Sequence, residues 1–91
     1  MKHYVGLDVS QEETSICVID ENDKKLWQGQ CLSTPEAIGP LIQKYAPNAA
    51  RIGLETGNLS TFLWHGLNDM GLPVICIDAY HAHGVLKLRM N

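Results

Sequence analysis

The chain has 91 residues, which is long enough for one small domain and too short for two. Its formal net charge of −3 carries no electrostatic signature of a protein that binds nucleic acid unaided, and it argues mildly against that class. No apolar run approaches the roughly 20 residues of a membrane helix, and residues 1–3 lead straight into a strand without a secretory signal. We therefore expect a cytoplasmic protein with no membrane partner.

The cysteines also indicate a reducing compartment. Cys17, Cys31 and Cys76 are odd in number, lack Cys-x-x-Cys spacing and lie inside apolar runs. We predict that all three are buried, reduced thiols.

Residues 4–10, with the sequence YVGLDVS, predict the first strand. Side chains alternate along a strand, so Val5, Leu7 and Val9 face one side, and Gly6 and Asp8 face the other. The sequence IGLE at residues 52–55 repeats this pattern, with a glycine two residues before its acid. A glycine inside a strand often marks the close approach of a ligand or another backbone.

Two more strands are predicted before the first helix. Residues 14–20 are rich in β-branched side chains, and residues 24–31 follow after a short polar turn. We expect three antiparallel strands, the third an edge strand with apolar residues on one side. Trp27 on that edge is the better candidate for an interface than Trp64, which lies beside the core stripe of a predicted helix, although packing explains either tryptophan. An unprotected edge favours association, so we predict a homodimer or higher oligomer.

A helix is predicted from about residue 35. Ser33 or Thr34 is the N-cap, Pro35 lies in the first turn, and Glu36 is placed to complete a capping box. Apolar residues at 38, 41, 42 and 45 form one helical face. Pro40 removes a backbone hydrogen bond, so a kink or a late helix start is expected.

The second half of the chain predicts a strand at 50–54 parallel to the first, a helix, a strand at 72–77 buried on both faces, and a last helix through residue 88. The first of these helices carries an apolar stripe and ends at Gly71; the stripe is Leu59, Phe62, Leu63, Leu67 and Met70. The order is βββαβαβα. We predict an α/β fold with one mixed sheet and helices packed on it.

Asp8 and Glu55 are the candidate site residues. In open α/β sheets ligands bind beyond the carboxyl ends of the parallel strands, where Glu55 lies and toward which Asp8 is directed. Carboxylate oxygens suit Mg²⁺, which keeps several waters and shares its other contacts with substrate phosphates. Two metal ions can clamp a phosphodiester for in-line displacement, but two carboxylates are too few to hold both. The alternative is that each acid is a solvated strand end.

Three segments resemble the N-terminal part of transposases of the insertion-sequence 110 family: YVGLDVS at 4–10, GLETG at 53–57, and VICIDA at 74–79 with HA at 81–82. Those proteins are similar to Holliday-junction resolvases and have a ribonuclease H-like domain with an Asp-Glu-Asp-Asp tetrad. The resemblance covers essentially the whole chain. It implies that Asp8 and Glu55 are the first two catalytic, metal-binding acids, with Mg²⁺ or Mn²⁺ as cofactor.

The resemblance further implies DNA and a guide RNA as partners, a prokaryotic nucleoid-associated setting, and a separate domain with a serine nucleophile. The last two acids of the family lie in an Asp-x-x-Asp pair that falls beyond residue 91, and Asp78 does not match it. We therefore expect this chain to be the front of the nuclease-like domain, and to be inactive in strand transfer by itself.

Two other functions compete with this interpretation. Actin-like ATPases and sugar kinases also open with a strand, an Asp and a hairpin, but their phosphate turn uses glycine and threonine to bring backbone N–H groups close to phosphate. Residues 8–13 have neither glycine nor a basic residue, and Glu12 and Glu13 repel phosphate. The other alternative is a non-catalytic remnant or assembly module. A zinc site at His81 and His83 with His65 or Cys76 is disfavoured, because the spacing matches no zinc motif.

Overall fold

A computed structural model describes residues 2–77, which form one five-stranded mixed sheet and two helices. The elements in chain order are β1 (His3–Val9), β2 (Glu13–Asp20), β3 (Lys25–Leu32), α1 (Pro35–Tyr45), β4 (Ala49–Glu55), α2 (Ser60–Asp69) and β5 (Val74–Ile77). The strands lie in the order β3-β2-β1-β4-β5. The first three are antiparallel, and β1, β4 and β5 are parallel, as expected. The predicted last helix lies outside the described residues.

One face of the sheet carries the main core together with both helices. Val5 and Leu7 of β1 are buried there, as the alternation predicted. The other buried members of this cluster are Ile16, Val18, Ile38, Ile42, Ala46, Ile52, Leu54, Leu63, Leu67 and Val74. The opposite face has a smaller cluster, in which Ile19 is buried among the half-buried Tyr4, Cys17, Ile75 and Ile77. The site residues therefore lie on the face away from α1 and α2.

The start of α1 differs from the predicted capping box. Thr34 is the N-cap and accepts a hydrogen bond on its hydroxyl from the Ala37 N–H at 3.2 Å. Glu36 is then one position too early to reach back to the cap. The helix begins on time at Pro35 and continues through Pro40, so a late start is wrong. Pro40 is exposed, so water can bond the carbonyl that its missing N–H leaves free.

Helix α2 buries only part of its predicted apolar stripe. Leu63 and Leu67 are buried, whereas Phe62 is 53% exposed and Met70 is 36% exposed. A helix turns about 100° per residue, so Phe62 points well away from Leu63 and the sheet. Met70 lies just after the helix, and the end of its side chain packs over Gly39 of α1. Gly71 ends the helix with a positive φ of 80°, as predicted.

The two helices meet where glycines remove side chains. A Cβ at Gly66 of α2 would overlap the ring of Pro35 at the start of α1. A Cβ at Gly39 of α1 would overlap the end of the Met70 side chain. These contacts bring the helix axes close together over the same sheet face.

The cysteines are free thiols, but none of them is fully buried, so that part of the prediction is wrong. Cys17 and Cys31 are half-buried, while Cys76 is exposed. Val74 of β5 lies in the core cluster with α2 residues, but Cys76 lies further along this outer strand and lacks that cover. For the same reason the prediction that this strand is buried on both faces is wrong, since only Val74 is buried. Burial, and secondarily the charge of Glu13, raise the pKa of the Cys31 thiol above its ordinary value.

β3 is an edge strand, as predicted. Trp27 on this strand turns inward, with its ring stacked on Tyr45 of α1 at a centroid distance of 4.1 Å. Trp64 packs against the core and meets His65 edge-on at 5.2 Å. Both tryptophans thus have partners within the fold. Within residues 2–77, neither helix is long and apolar enough to cross a membrane.

Candidate functional site

Asp8 and Glu55 lie at the same level, at or next to the carboxyl ends of the neighbouring parallel strands β1 and β4. Gly6 lies beside Gly53 in the β1–β4 pairing, and Leu7 lies beside Leu54. The next residue on each strand is the acid, and both acids are on the sheet face opposite the buried leucines. Adjacent strands are roughly 4.8 Å apart, so the register continued by one residue sets Asp8 beside Glu55. Asp8 is exposed and Glu55 is half-buried.

The two strand glycines continue into a row that runs across four strands. Gly6 is flanked by Cys17 of β2, and Gly53 is flanked by Ile75 of β5. The middle of this row has no side chains, and it lies two residues before the acids on the same face. The sequence pattern indicated a close approach at each glycine separately, and the parallel pairing of β1 with β4 places the two glycines side by side. Such a row permits close approach to the sheet beside the carboxylates, and Gly53 is itself buried.

A cleft of about 230 Å³ opens at the carboxyl ends of β1 and β4. It is lined by residues 9–11 and 55–60, so Glu55 belongs both to the acid pair and to the cleft, while Asp8 does not line it. Ser10, Thr56 and Asn58 add polar groups to its wall. None of these three residues is among those predicted for the site. The signal for them is their position after two parallel strands, where α/β sheets place ligands.

Three hydroxyls, of which those of Thr14 and Ser33 are buried, hold the loop that follows Asp8. The Ser10 hydroxyl and N–H both donate to the Glu13 carbonyl, at 2.6 and 3.0 Å. The Ser33 hydroxyl donates to the Ser10 carbonyl at 2.6 Å. Because a hydroxyl has one hydrogen, the 2.7 Å contact between Thr14 and Ser33 requires Thr14 to be the donor. This network ties the end of β1 to β2 and to the segment before α1.

The loop after Glu55 is tied in the same way to β5. The Thr56 N–H and hydroxyl both donate to the Ile77 carbonyl at 2.9 Å. The Ser60 hydroxyl donates to the Gly57 carbonyl at 2.7 Å at the start of α2, where Leu59 provides no side-chain cap. Both walls of the cleft are therefore positioned by hydrogen bonds within the fold, and no buried side-chain polar atom among the described residues lacks a partner.

The donor set at Asp8 and Glu55 fits a single hard cation. Mg²⁺ is commonly held by one or two carboxylates, with waters and substrate phosphates completing an octahedron. No group of three or more His, Cys, Asp or Glu side chains is placed to hold a metal within residues 2–77. The pair therefore suits one ion with a water-rich shell, and the two-ion arrangement needs further acids. His81 and His83, considered for zinc, lie outside the described residues.

Comparisons with protein-family models and with curated proteins find no match to this chain. The similarity to insertion-sequence transposases stays a hypothesis carried by the three short motifs.

Proposed function

We propose that this chain is the N-terminal part of a ribonuclease H-like catalytic domain of a DNA transposase or recombinase. Asp8 and Glu55 hold a divalent metal ion that acts on DNA phosphodiesters. The observation that carries the proposal is the parallel register of β1 and β4, which places these two acids side by side on one sheet face. The element order, three antiparallel strands followed by β-α-β units, is compatible with it.

The proposed roles follow from the chemistry of the two acids. Ionised carboxylates repel a phosphodiester, so phosphate approach needs a cation between them. When bound, Mg²⁺ supplies positive charge to the phosphate oxygens as charge develops there. Asp8 and Glu55 bind the ion, and the hydrogen bonds of Ser33 and Thr56 keep the adjoining loops in place.

Asp8 and Glu55 would supply two of the four acids of the Asp-Glu-Asp-Asp tetrad, which limits the activity that we propose for this chain alone. A net charge of −3 provides little general attraction for DNA, so DNA and guide RNA are proposed as partners of the complete catalytic assembly. We expect these 91 residues to bind one metal ion weakly and to be inactive in strand transfer. Recombination catalysed by this polypeptide alone would contradict that expectation.

The test is a titration of the ¹⁵N-labelled chain with Mg²⁺, followed by NMR. Saturable shifts are expected at the amides of Asp8, Glu55 and their neighbours. Mn²⁺ is expected to broaden the same signals, because paramagnetic relaxation falls steeply with distance. In the double variant Asp8→Asn, Glu55→Gln these effects should vanish.

The matched control neutralises two exposed acids elsewhere, Glu21→Gln on the β2–β3 turn and Asp69→Asn at the end of α2. It makes the same change in net charge and should leave the metal shifts intact. Shifts that are absent in the unmodified chain, or that persist in the site variant, would overturn the metal site. They would favour the non-catalytic assembly module.

A further inference from the structure

The outer edge of β3 presents backbone groups that the described fold does not pair. The Ser33 N–H donates to the Glu12 carbonyl, so these two residues form a hydrogen-bonded pair of the antiparallel ladder. The next pair along the ladder, Leu32 and Glu13, is therefore a non-hydrogen-bonded pair. Hydrogen-bonded and non-hydrogen-bonded pairs alternate along the ladder, so the residues of β3 that bond to β2 are the odd-numbered ones. Gln28 and Gln30 consequently direct both their N–H and C=O groups away from β2.

This edge has few of the features that protect edge strands. β3 contains no proline and only one charged residue, Lys25 at its first position. The pairing of β3 with β2 has one register shift, opposite Val18 and Ile19, and this shift lies near the beginning of β3. Two exposed leucines flank the glutamines, with Leu26 at 40% and Leu32 at 62% exposure. An edge that is regular from Trp27 onward, nearly uncharged and flanked by exposed apolar side chains is a template for another strand.

We propose that a second copy of this chain pairs along β3, antiparallel and related by a twofold axis that passes beside Gly29. Gln28 then lies opposite the partner's Gln30, and these pairs use the outward N–H and C=O groups. Leu26 lies opposite the partner's Leu32 at both ends of the ladder. Gly29 has no side chain to obstruct the two strands where they approach most closely at the axis.

The arrangement of side chains about Gly29 is what favours a second copy as the occupant. In a continuous sheet, residues opposite each other on neighbouring strands have their side chains on the same face. The pairing of the two β3 strands can therefore shift only to registers that keep this match of faces. The proposed register is the one that matches leucine with leucine and glutamine with glutamine. Moving the twofold axis to Gln28 or to Gln30 sets a leucine against a glutamine. The proposed register also leaves Lys25 opposite the partner's Ser33, so like charges do not meet.

The strongest part of the interface is its centre. Leu32 has its carbonyl occupied by the Thr34 N–H at 2.8 Å, and Leu26 lies in the irregular part of the strand. The paired glutamines therefore provide the regular hydrogen bonds, and the leucines contribute apolar contact on the face away from α1 and α2. A twofold pairing of this kind closes on itself, because it consumes the β3 edge of both copies.

The test combines sedimentation with amide hydrogen exchange over a range from about 10 µM to about 1 mM, where weak pairing is populated. We expect a monomer–dimer equilibrium, with exchange of the Gln28 and Gln30 amides slowing as the concentration rises. Gln30→Pro removes an outward N–H without removing a bond to β2, and it should weaken the dimer at least about tenfold. Gln30→Ala keeps that N–H and should dimerise nearly as well.

A second pair of variants guards against a folding defect in the proline variant. Leu32→Lys places a charge on the edge and should also weaken the dimer, while Gln43→Lys adds the same charge on the exposed side of α1 and should not. A chain that stays monomeric throughout the range would overturn the proposal. A dimer in which the Gln28 and Gln30 amides exchange as fast as in dilute solution would also overturn it, since it would form elsewhere.

Discussion

The hydroxyl of Ser33 donates to the carbonyl of Ser10 at 2.6 Å, which links the segment before α1 to the loop that follows Asp8. Ser33→Ala removes this bond and leaves the buried Thr14 hydroxyl without its acceptor. A buried polar group without a partner costs about 1–3 kcal/mol, so the free energy of unfolding should fall by that amount. Urea denaturation measures it.

The double variant Ser33→Ala, Thr14→Val is the informative control for this network. It removes donor and acceptor together, so its loss of stability should be smaller than the sum of the two single losses. Additive losses would mean that the two hydroxyls do not depend on each other. The hydrogen bonds of Ser33 and Thr14 would then contribute less to holding the loop after Asp8 than their short distances indicate.

The helix contact predicts different outcomes for two Gly→Ala variants. At Gly66 the new methyl meets the rigid ring of Pro35, so the helices must move apart and the variant should be destabilised by about 1–3 kcal/mol. At Gly39 it meets the flexible end of Met70, which is 36% exposed. The Met70 side chain can rotate aside, so Gly39→Ala should be much milder than Gly66→Ala. Thermal unfolding of both variants tests this, and equal losses would contradict it.

Gly71 and Gly57 form a second matched pair. Gly71 has a φ of 80° at the end of α2, which other residues adopt only with strain, although its Cβ position is open. Gly71→Ala should therefore lower the free energy of unfolding by about 1 kcal/mol. Gly57 also has open space at its Cβ position but no positive φ, so Gly57→Ala should be close to neutral. The difference between their urea midpoints isolates the backbone contribution.

The thiols should differ in reactivity. Burial, and then the negative charge of Glu13, raise the pKa of Cys31, so less of it is thiolate at mildly alkaline pH. Iodoacetamide should modify Cys31 more slowly than the exposed Cys76, followed by mass spectrometry of the peptides. Glu13→Gln removes the smaller cause and should increase the Cys31 rate modestly. Because the folded-state pKa is the higher one, this thiol makes the fold less stable as the pH rises from the unfolded-state pKa through the folded-state value.

Local patterns in the sequence predicted the parts of the fold that depend on alternation. The spacing of Val5 and Leu7 identified the core face of β1, and that choice placed Asp8 on the other face. The repeat at Glu55, with the general rule for parallel strands, brought the second acid to the same edge. The one strand pairing that these predictions required was that of β1 with β4.

The wrong predictions concern features that tertiary contacts decide. Ser33 and Thr34 are both good N-caps, and Thr34 caps the helix because Ser33 is bonded to Ser10 and Thr14. Nothing local to the sequence shows that competition. The exposure of Cys76 likewise depends on the place of β5 in the sheet, since its sequence resembles a strand that is buried on both faces.

Metal binding should stabilise the fold if Asp8 and Glu55 form one site. A ligand that binds only the folded state adds RT ln(1 + [L]/Kd), which is about 1.4 kcal/mol at ten times the dissociation constant. Thermal unfolding in increasing Mg²⁺, compared with the same series after chelation, should show a saturable increase in the unfolding temperature. Asp8→Asn or Glu55→Gln alone should remove most of this increase, because a single carboxylate holds the ion weakly. If each single variant kept half of the effect, the two acids would bind ions independently, and the side-by-side register of β1 and β4 would have no role in metal binding.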